Sequence, residues 1–148
     1  MRIHYGLEDG GWAYVTVECG AQKAEMRTSY LHDSLRDLAS AVRALLMTAS
    51  EATVIFMDEP GEHQMILRNI VNQHVELEIL WYDGWQSWGM PSGPGQGRLF
   101  GKTSIEQLHK QVLFELRRLL DENGQDLYFE KWGEPFPTME MLDLEELE

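Results

Sequence analysis

The sequence predicts an α+β fold, in which an antiparallel meander sheet carries two main helices packed on one of its faces. Apolar and polar residues alternate along residues 2–19 and again within residues 53–82, as they do in strands with one buried face. In residues 31–48 and 104–123 the apolar residues instead recur every three or four positions, which is the helical period. The chain has 148 residues, the usual size of one domain, and no linker divides it. We therefore expect a single domain spanning residues 1–148.

The first third of the chain predicts three strands and a helix. Two strands flank the turn residues Asp9–Gly11, and residues 23–29 are expected to form a third, polar strand. The helix follows at residues 31–48, and Ser29 or Asp33 can cap its start. Its apolar stripe consists of Leu31, Leu35, Leu38, Val42, Leu45 and Leu46.

Three further strands are predicted in the middle of the chain, at Thr53–Met57, Gln64–Ile70 and His74–Tyr82. Glu59-Pro60-Gly61-Glu62 fits a type II turn, because proline presets φ at the second position and glycine accepts a positive φ at the third. Asn72-Gln73 supplies the next turn. These strands form the meander.

A glycine- and proline-rich loop is predicted at residues 83–101, and long loops inside compact domains are usually functional or mobile. The second helix is expected from Ser104 to about Asn123. Thr103 and Glu106 have the spacing of a capping box at its start, and Gly124 is a natural stop.

The last part of the chain is strongly acidic. Leu127–Trp132 could form a short edge strand, and residues 138–148 are expected to be an acidic tail, mobile or helical. Residues 121–148 contain ten acids and one base, so they carry −9 of the net charge of −13.

Charge and cysteine content narrow the classes of function. A net charge of −13 without a basic cluster argues against DNA, RNA and anionic membranes as partners. Cys19 is the only cysteine, so no intramolecular disulfide can form. The first residues lack the apolar run of a signal peptide, and we expect a cytoplasmic protein.

No motif predicts a cofactor or a metal. Residues 93–103 end like a phosphate-binding loop, but the first glycine of that motif would fall on Gln96. The five histidines lack the spacing of metal ligands. Paired acids such as Glu59 and Glu62 flank an exposed turn, where solvated carboxylates are expected. An enzyme is therefore the least favoured class.

Aromatic residues crowd the start of the predicted loop. Trp85 and Trp88 lie among small and polar residues, close to Tyr82 and Asp83, where no periodicity buries them. Exposed tryptophans on a loop are typical recognition residues. The alternative is that the two side chains fold back as a lid over the edge of the sheet.

A second candidate surface combines Phe114 with the acidic end. Phe114 lies on the helix face opposite the apolar stripe, so the C-terminal segment or a second copy of the chain could cover it. The apolar residues up to Phe136 predict that this segment docks on the domain. Glu140, Asp143 and Glu145 would then face outward and steer a basic partner, or serve only solubility.

Three segments carry a family resemblance: Ser29-Tyr30-Leu31-x-Asp33-x-Leu35-x-Asp37-Leu38, then Asp58-Glu59-Pro60-Gly61-Glu62, then Trp81-Tyr82-Asp83. Together they resemble a family of short uncharacterised acidic bacterial proteins, over roughly residues 12–137. Those proteins are similar in size and acidity to the immunity proteins of bacterial toxin systems. The resemblance implies a bacterial cytoplasmic protein that neutralises a toxin by binding it.

Two hypotheses of function follow. The first is a non-enzymatic protein-binding module, an immunity protein or inhibitor for a basic partner, for which a homodimer is possible. The second is a small-ligand or carbohydrate site at the loop of residues 83–101. Neither needs a metal or a cofactor.

Overall fold

The α+β class is confirmed in a computed structural model that describes all residues from Met1 to Glu148. Seven strands and three helices follow one another along the chain, with α1 after β3 and with α2 and α3 at the end. Their bounds are β1 Arg2–Leu7, β2 Trp12–Cys19, β3 Gln22–Ser29, α1 Ser34–Met47, β4 Glu51–Met57, β5 Glu62–Asn69, β6 His74–Tyr82, β7 Gln96–Ser104, α2 Ile105–Trp132 and α3 Thr138–Glu146.

The strands form two antiparallel meanders rather than the single sheet that the sequence predicts. The first sheet has the order β1-β2-β3 and the second sheet the order β4-β5-β6-β7. The division falls where α1 interrupts the series of hairpins, because β3 and β4 are not hydrogen-bonded to each other. Both sheets nevertheless share one core of 32 buried residues, to which all three helices contribute.

Strand β7 begins within the residues predicted as a loop and extends three residues beyond them. The sequence does not predict this strand, because glycines are depleted in strands and only Leu99 and Thr103 are buried along β7. Gly101 is there for a steric reason: a Cβ at this position would lie 2.5 Å from Sγ of Cys19. The loop after β6 is therefore shorter than expected, and we call residues 83–95 the Trp loop.

Helix α2 is longer than predicted, and the edge strand expected at Leu127–Trp132 is wrong. Gly124 leaves the helical conformation (φ 72°, ψ 169°), but the chain returns to helix after it. Tyr128 and Trp132 are buried one turn apart, which is helical spacing. The helix is capped by Ser104, which accepts from the backbone N–H of Gln107, and not by Thr103.

Two local features can be compared with the predictions: the cap at the start of α1 and the turn after β4. Asp33 caps α1, as one of the two predicted candidates, and accepts a hydrogen bond from the backbone N–H of Arg36. In the turn after β4 the Glu59–Pro60 peptide is cis, and Gly61 has the positive φ that the sequence predicts.

The C-terminal residues dock on the domain, but at a different place from the one predicted. Met141 and Leu144 of α3 are buried in the common core, and the carbonyl of Leu144 is hydrogen-bonded to Nε2 of His109 at 2.7 Å. Phe114 remains 59% exposed, so the expectation that this segment covers it is wrong.

Side chains from other elements close several sheet edges. On the outer edge of β1, the backbone N–H groups of Ile3 and Tyr5 donate to Gln111 and Glu115 of α2, and Arg118 donates to the carbonyl of Tyr5. Open edges invite pairing with other chains, and these contacts protect the edge of β1 from it. None of the helices combines the length and apolar character needed to cross a bilayer.

The edges of the second sheet are closed in the same way. Gln22 pairs with both backbone polar groups of Phe100 in β7, its amide nitrogen donating to the carbonyl and its amide oxygen accepting from the N–H. On β4, the backbone N–H of Ile55 donates to Asp37 of α1. Side chains thus take the place of a neighbouring strand at these positions.

Candidate interaction surface

The Trp loop is fastened to the second sheet by hydrogen bonds. Nε1 of Trp85 donates to the carbonyl of Asp58 at 2.8 Å, which ties the loop to the turn between β4 and β5. The backbone N–H of Gly84 donates to the hydroxyl of Ser92, and the N–H of Met90 donates to the carbonyl of Trp85. The loop therefore has a defined conformation despite its glycines.

A buried carboxylate provides the strongest fastening. Glu62, the first residue of β5, is fully buried and has no cationic partner. It accepts hydrogen bonds from the hydroxyl of Ser87 at 2.7 Å, from the backbone N–H of Ser87 at 3.2 Å and from Nε2 of Gln64 at 2.8 Å. The expectation that Glu62 is a solvated turn residue is wrong, because the Trp loop folds over it.

The two tryptophans of the loop have different environments. Trp85 is half-buried against the turn, while Trp88 is 54% exposed, as was predicted for at least one of the pair. Their rings meet edge to face with centroids 5.0 Å apart, and Met90 beside them is 51% exposed. The position of Trp85 thus matches the lid interpretation, and Trp88 has the exposure that the recognition interpretation expects.

A shallow cleft lies beside Trp85, with a volume of about 220 Å³. It is lined by Pro60, Gly61, Gly84, Trp85, Met90 and Pro91. The indole nitrogen of Trp85 is already used by Asp58, so the tryptophan offers the cleft only its apolar surface.

Tyr82 and Asp83 hold the base of the loop. Asp83 accepts from Nε1 of Trp81 at 3.0 Å. Tyr82 is half-buried, and its ring packs so closely on Gly95 that a Cβ there would lie 2.9 Å from it. Both residues belong to the surface predicted from sequence, and their contacts position the loop.

His63 lies beneath this surface, on the core-facing side of β5. Its ring is 4.7 Å from that of Trp81, its side chain is buried, and its Nδ1 has no hydrogen-bond partner. Burial, with a smaller contribution from Arg98, lowers the pKa of His63 from 6.5 to about 4. The imidazole is therefore neutral at physiological pH.

Unpaired acids surround the loop. Asp58 and Glu59 of the turn and Asp83 of the loop form no salt bridge. This end of the second sheet thus combines exposed apolar side chains with free negative charge.

The C-terminal acids predicted to face a partner are instead bound to arginines of the same chain. Glu140 lies 2.7 Å from Arg36 and Asp143 lies 3.0 Å from Arg43, both on α1. Glu145 lies 3.6 Å from Arg117 of α2. Each of these three carboxylates thus already has a partner within the chain, and all three lie on α3 rather than beside the Trp loop.

Phe114 is isolated from the other candidates. It borders a shallow depression of about 450 Å³ together with Arg117, Arg118, Asp121 and Glu122 of the same helix. The structure thus groups Tyr82, Asp83, Trp85 and Trp88 at one site and leaves Phe114 outside it.

Sequence reasoning missed Glu62, Ser87 and Met90. Glu62 follows a turn and precedes an alternating strand, and nothing in its local sequence predicts an environment other than solvent. No family model, curated protein or solved structure matches the chain.

The structure contains no group of three or more His, Cys, Asp or Glu side chains placed to hold a metal ion.

Proposed function

We propose that this chain is a non-enzymatic protein-binding module of the bacterial cytoplasm, an immunity-type inhibitor of a basic partner. Its contact surface is the Trp loop together with the turn between β4 and β5. The observation that carries the proposal is Trp88, which is 54% exposed on a loop fastened by the buried Glu62.

A fixed, exposed tryptophan is suited to recognition. Tryptophan is the residue type most enriched among those that dominate binding energy. A loop that is already ordered loses little conformational entropy on binding, so more of the contact energy appears as affinity. Met90 and the apolar side of Trp85 extend the contact around Trp88.

Charge supports a basic partner. The chain has a net charge of −13, and the acids nearest the loop, Asp58, Glu59 and Asp83, are free of salt bridges. Such a surface raises the association rate of a basic protein, and salt reduces that effect. The acids of α3 contribute less, because arginines of α1 and α2 already neutralise them.

The polar groups below the loop support a binding role over a catalytic one. The hydroxyl of Ser87 donates a hydrogen bond to Glu62. The carboxylate of Glu62 also accepts hydrogen bonds from the backbone N–H of Ser87 and from Nε2 of Gln64. His63 makes no hydrogen bond to either residue. No histidine links this serine to the carboxylate, whereas Ser-His-Asp sites place one between the two groups.

A small ligand or a carbohydrate is the second candidate, and the cleft of about 220 Å³ beside Trp85 is the observation that favours it. Carbohydrate sites need several converging polar groups as well as an aromatic surface. The lining of this cleft is mostly glycine, proline and apolar side chains, so we rank the protein-binding function first.

The test has two steps. The chain, fitted with a photo-crosslinker beside Trp88, is used to identify a partner in bacterial lysate, and the purified pair is then studied by calorimetry. Trp88→Ala should weaken binding at least tenfold, which is about 1.4 kcal/mol. The matched control is Phe114→Ala, which removes an equally exposed aromatic residue outside the site and should leave the affinity unchanged.

Two results would contradict the proposal. One is a partner that binds the Trp88→Ala variant as tightly as the original chain, or that loses affinity only in the Phe114→Ala variant. The other is saturable quenching of tryptophan fluorescence by oligosaccharides with no protein captured, which would favour the second candidate.

A further inference from the structure

A second and larger pocket lies at the other end of the second sheet. Its volume is about 710 Å³, within the range of sites for small ligands. The Trp loop borders the start of β5 at Glu62, whereas this pocket borders its end at Asn69, about 23 Å away at the usual rise per residue. The ends of α1, β5 and α3 and the start of α2 enclose it.

The floor of the pocket is apolar. It consists of Leu45 and Leu46 from the end of α1, Ile70 after β5, Ile105 at the start of α2, and Leu147 after α3. Asn69 borders these residues, and its amide nitrogen is fully used by the carbonyls of Leu45 and Ala49 at the end of α1.

The charged side chains around the pocket neutralise one another. Lys110 and Glu106, one turn apart on α2, are 2.6 Å from each other. Glu148 lies 3.2 Å from Arg117. Because each charged side chain in the lining has a partner of opposite charge, the pocket has no free charge with which to select an ion.

Among the polar residues that line the pocket only His109 is buried, and it retains a free hydrogen-bonding atom. His109 is buried, and its Nε2 lies 2.7 Å from the carbonyl oxygen of Leu144. A carbonyl only accepts, so Nε2 carries the proton, and in the neutral ring Nδ1 is then an acceptor. Nδ1 makes no hydrogen bond within the chain.

We propose that this pocket binds a small uncharged molecule with an apolar body and one hydrogen-bond donor, which donates to Nδ1 of His109. The volume of the pocket limits the size of the ligand, and its apolar floor requires a ligand with an apolar body. The charged side chains at the rim are already paired, so a ligand with a net charge would find no free partner there. The histidine sets the position of the single polar group. This site is independent of the proposed contact surface at the Trp loop.

The experiment uses two probes with the same apolar body, 4-propylphenol and propylbenzene, and follows methyl resonances of the full chain by NMR. 4-Propylphenol should shift the methyl signals of Leu45, Ile105 and Leu147 saturably, and propylbenzene should bind at least tenfold more weakly. His109→Phe keeps a ring of similar size but has no acceptor. This variant should therefore bind both probes with the weak affinity of propylbenzene.

A second pair of variants separates the pocket from general surface effects. Leu147→Trp fills the pocket and should abolish the shifts. Leu142→Trp adds the same bulk at an exposed position of α3 outside the pocket and should leave them unchanged. The proposal is overturned if neither probe gives saturable shifts at millimolar concentration, if Leu147→Trp binds normally, or if His109→Phe still prefers 4-propylphenol tenfold.

Discussion

Glu62 and Glu115 are both buried carboxylates, and the chain stabilises them by different means. Glu115 faces the guanidinium of Arg118 at 2.6 Å and also accepts from the backbone N–H of Tyr5. Glu62 accepts hydrogen bonds only from neutral donors, and two of these donors belong to Ser87. The first carboxylate joins a helix to a strand, and the second fastens the Trp loop to β5, so each ties together parts of the chain that are distant in sequence.

His63 should make stability depend on pH. Its pKa is about 4 in the folded chain and 6.5 when unfolded, so between these values the unfolded chain binds a proton that the native chain does not. The free energy of unfolding should therefore fall as pH decreases from 6.5 to 4, by about 3 kcal/mol from this residue. Urea unfolding of the original chain and of His63→Leu at a series of pH values measures the difference.

The matched control for His63 is His74→Leu, which removes an exposed histidine after the turn between β5 and β6. Effects of other groups, such as the raised pKa of His32 beside Asp37, are common to all three proteins and cancel in the comparison. If His63→Leu loses as much stability between pH 6.5 and 4 as the original chain, the burial of a neutral imidazole is refuted.

At the scale of elements, Gly124 controls the course of α2. Its conformation, φ 72° and ψ 169°, is one that only glycine adopts easily. No atom lies within 4 Å of a Cβ built there, so Gly124→Ala should destabilise the chain through backbone strain alone, by about 1–3 kcal/mol. Thermal unfolding should show a fall of several degrees.

Gly97 provides the control for this substitution. It is exposed, it has equally open space around its Cβ position, and its φ lies outside the left-handed region. Gly97→Ala should leave the melting temperature nearly unchanged. Equal effects of the two substitutions would mean that the break in α2 is not set by the conformation of Gly124.

Helix α2 also acts as a cover for the edge of β1, and Glu115 is the central contact. Glu115→Ala should leave the backbone N–H of Tyr5 without its partner, at a cost of about 1–3 kcal/mol. Glu122 bonds the same Arg118 from an exposed position, so Glu122→Ala should cost less than about 1 kcal/mol. Chemical denaturation that ranks the two variants in the opposite order would refute the edge-covering role.

At the scale of the whole molecule, α3 closes the core. Removing the residues after Thr138 exposes the sites of Met141 and Leu144, which are buried, and their loss should cost about 3–6 kcal/mol. The truncated chain should melt well below the full chain and bind a dye that reports exposed apolar surface. Leu142→Ala changes an exposed residue of the same helix and should have little effect. A truncated chain that melts like the full one would show that α3 is dispensable.

Periodicity predicted most of the fold because burial on one face leaves a regular pattern. It located β1 to β6, α1 and the first part of α2 to within a few residues. It missed β7, in which Gly101 is explained only by contact with Cys19, a residue more than 80 positions away. It also missed the split into two sheets, because no local signal states whether β3 pairs with β4.

The candidate site was predictable in its exposed part only. Trp85 and Trp88 stand out because nothing in their neighbourhood predicts burial. The role of Glu62 depends on Ser87, which is 25 positions away, and turn residues give no sign of such a contact. The pairing of Glu140 with Arg36 is likewise a tertiary fact.

The closed edge of β1 has a consequence for how the chain is made. Arg118 follows Tyr5 by 113 positions, and a ribosome adding 5–20 residues per second needs about 6–20 s to cover that interval. During that time the first hairpins can form, since their partners are already synthesised, but the side chains that seal the outer strand do not yet exist. The risk of intermolecular strand pairing is thus concentrated in the nascent chain, and polysomes making this protein hold many such open edges close together.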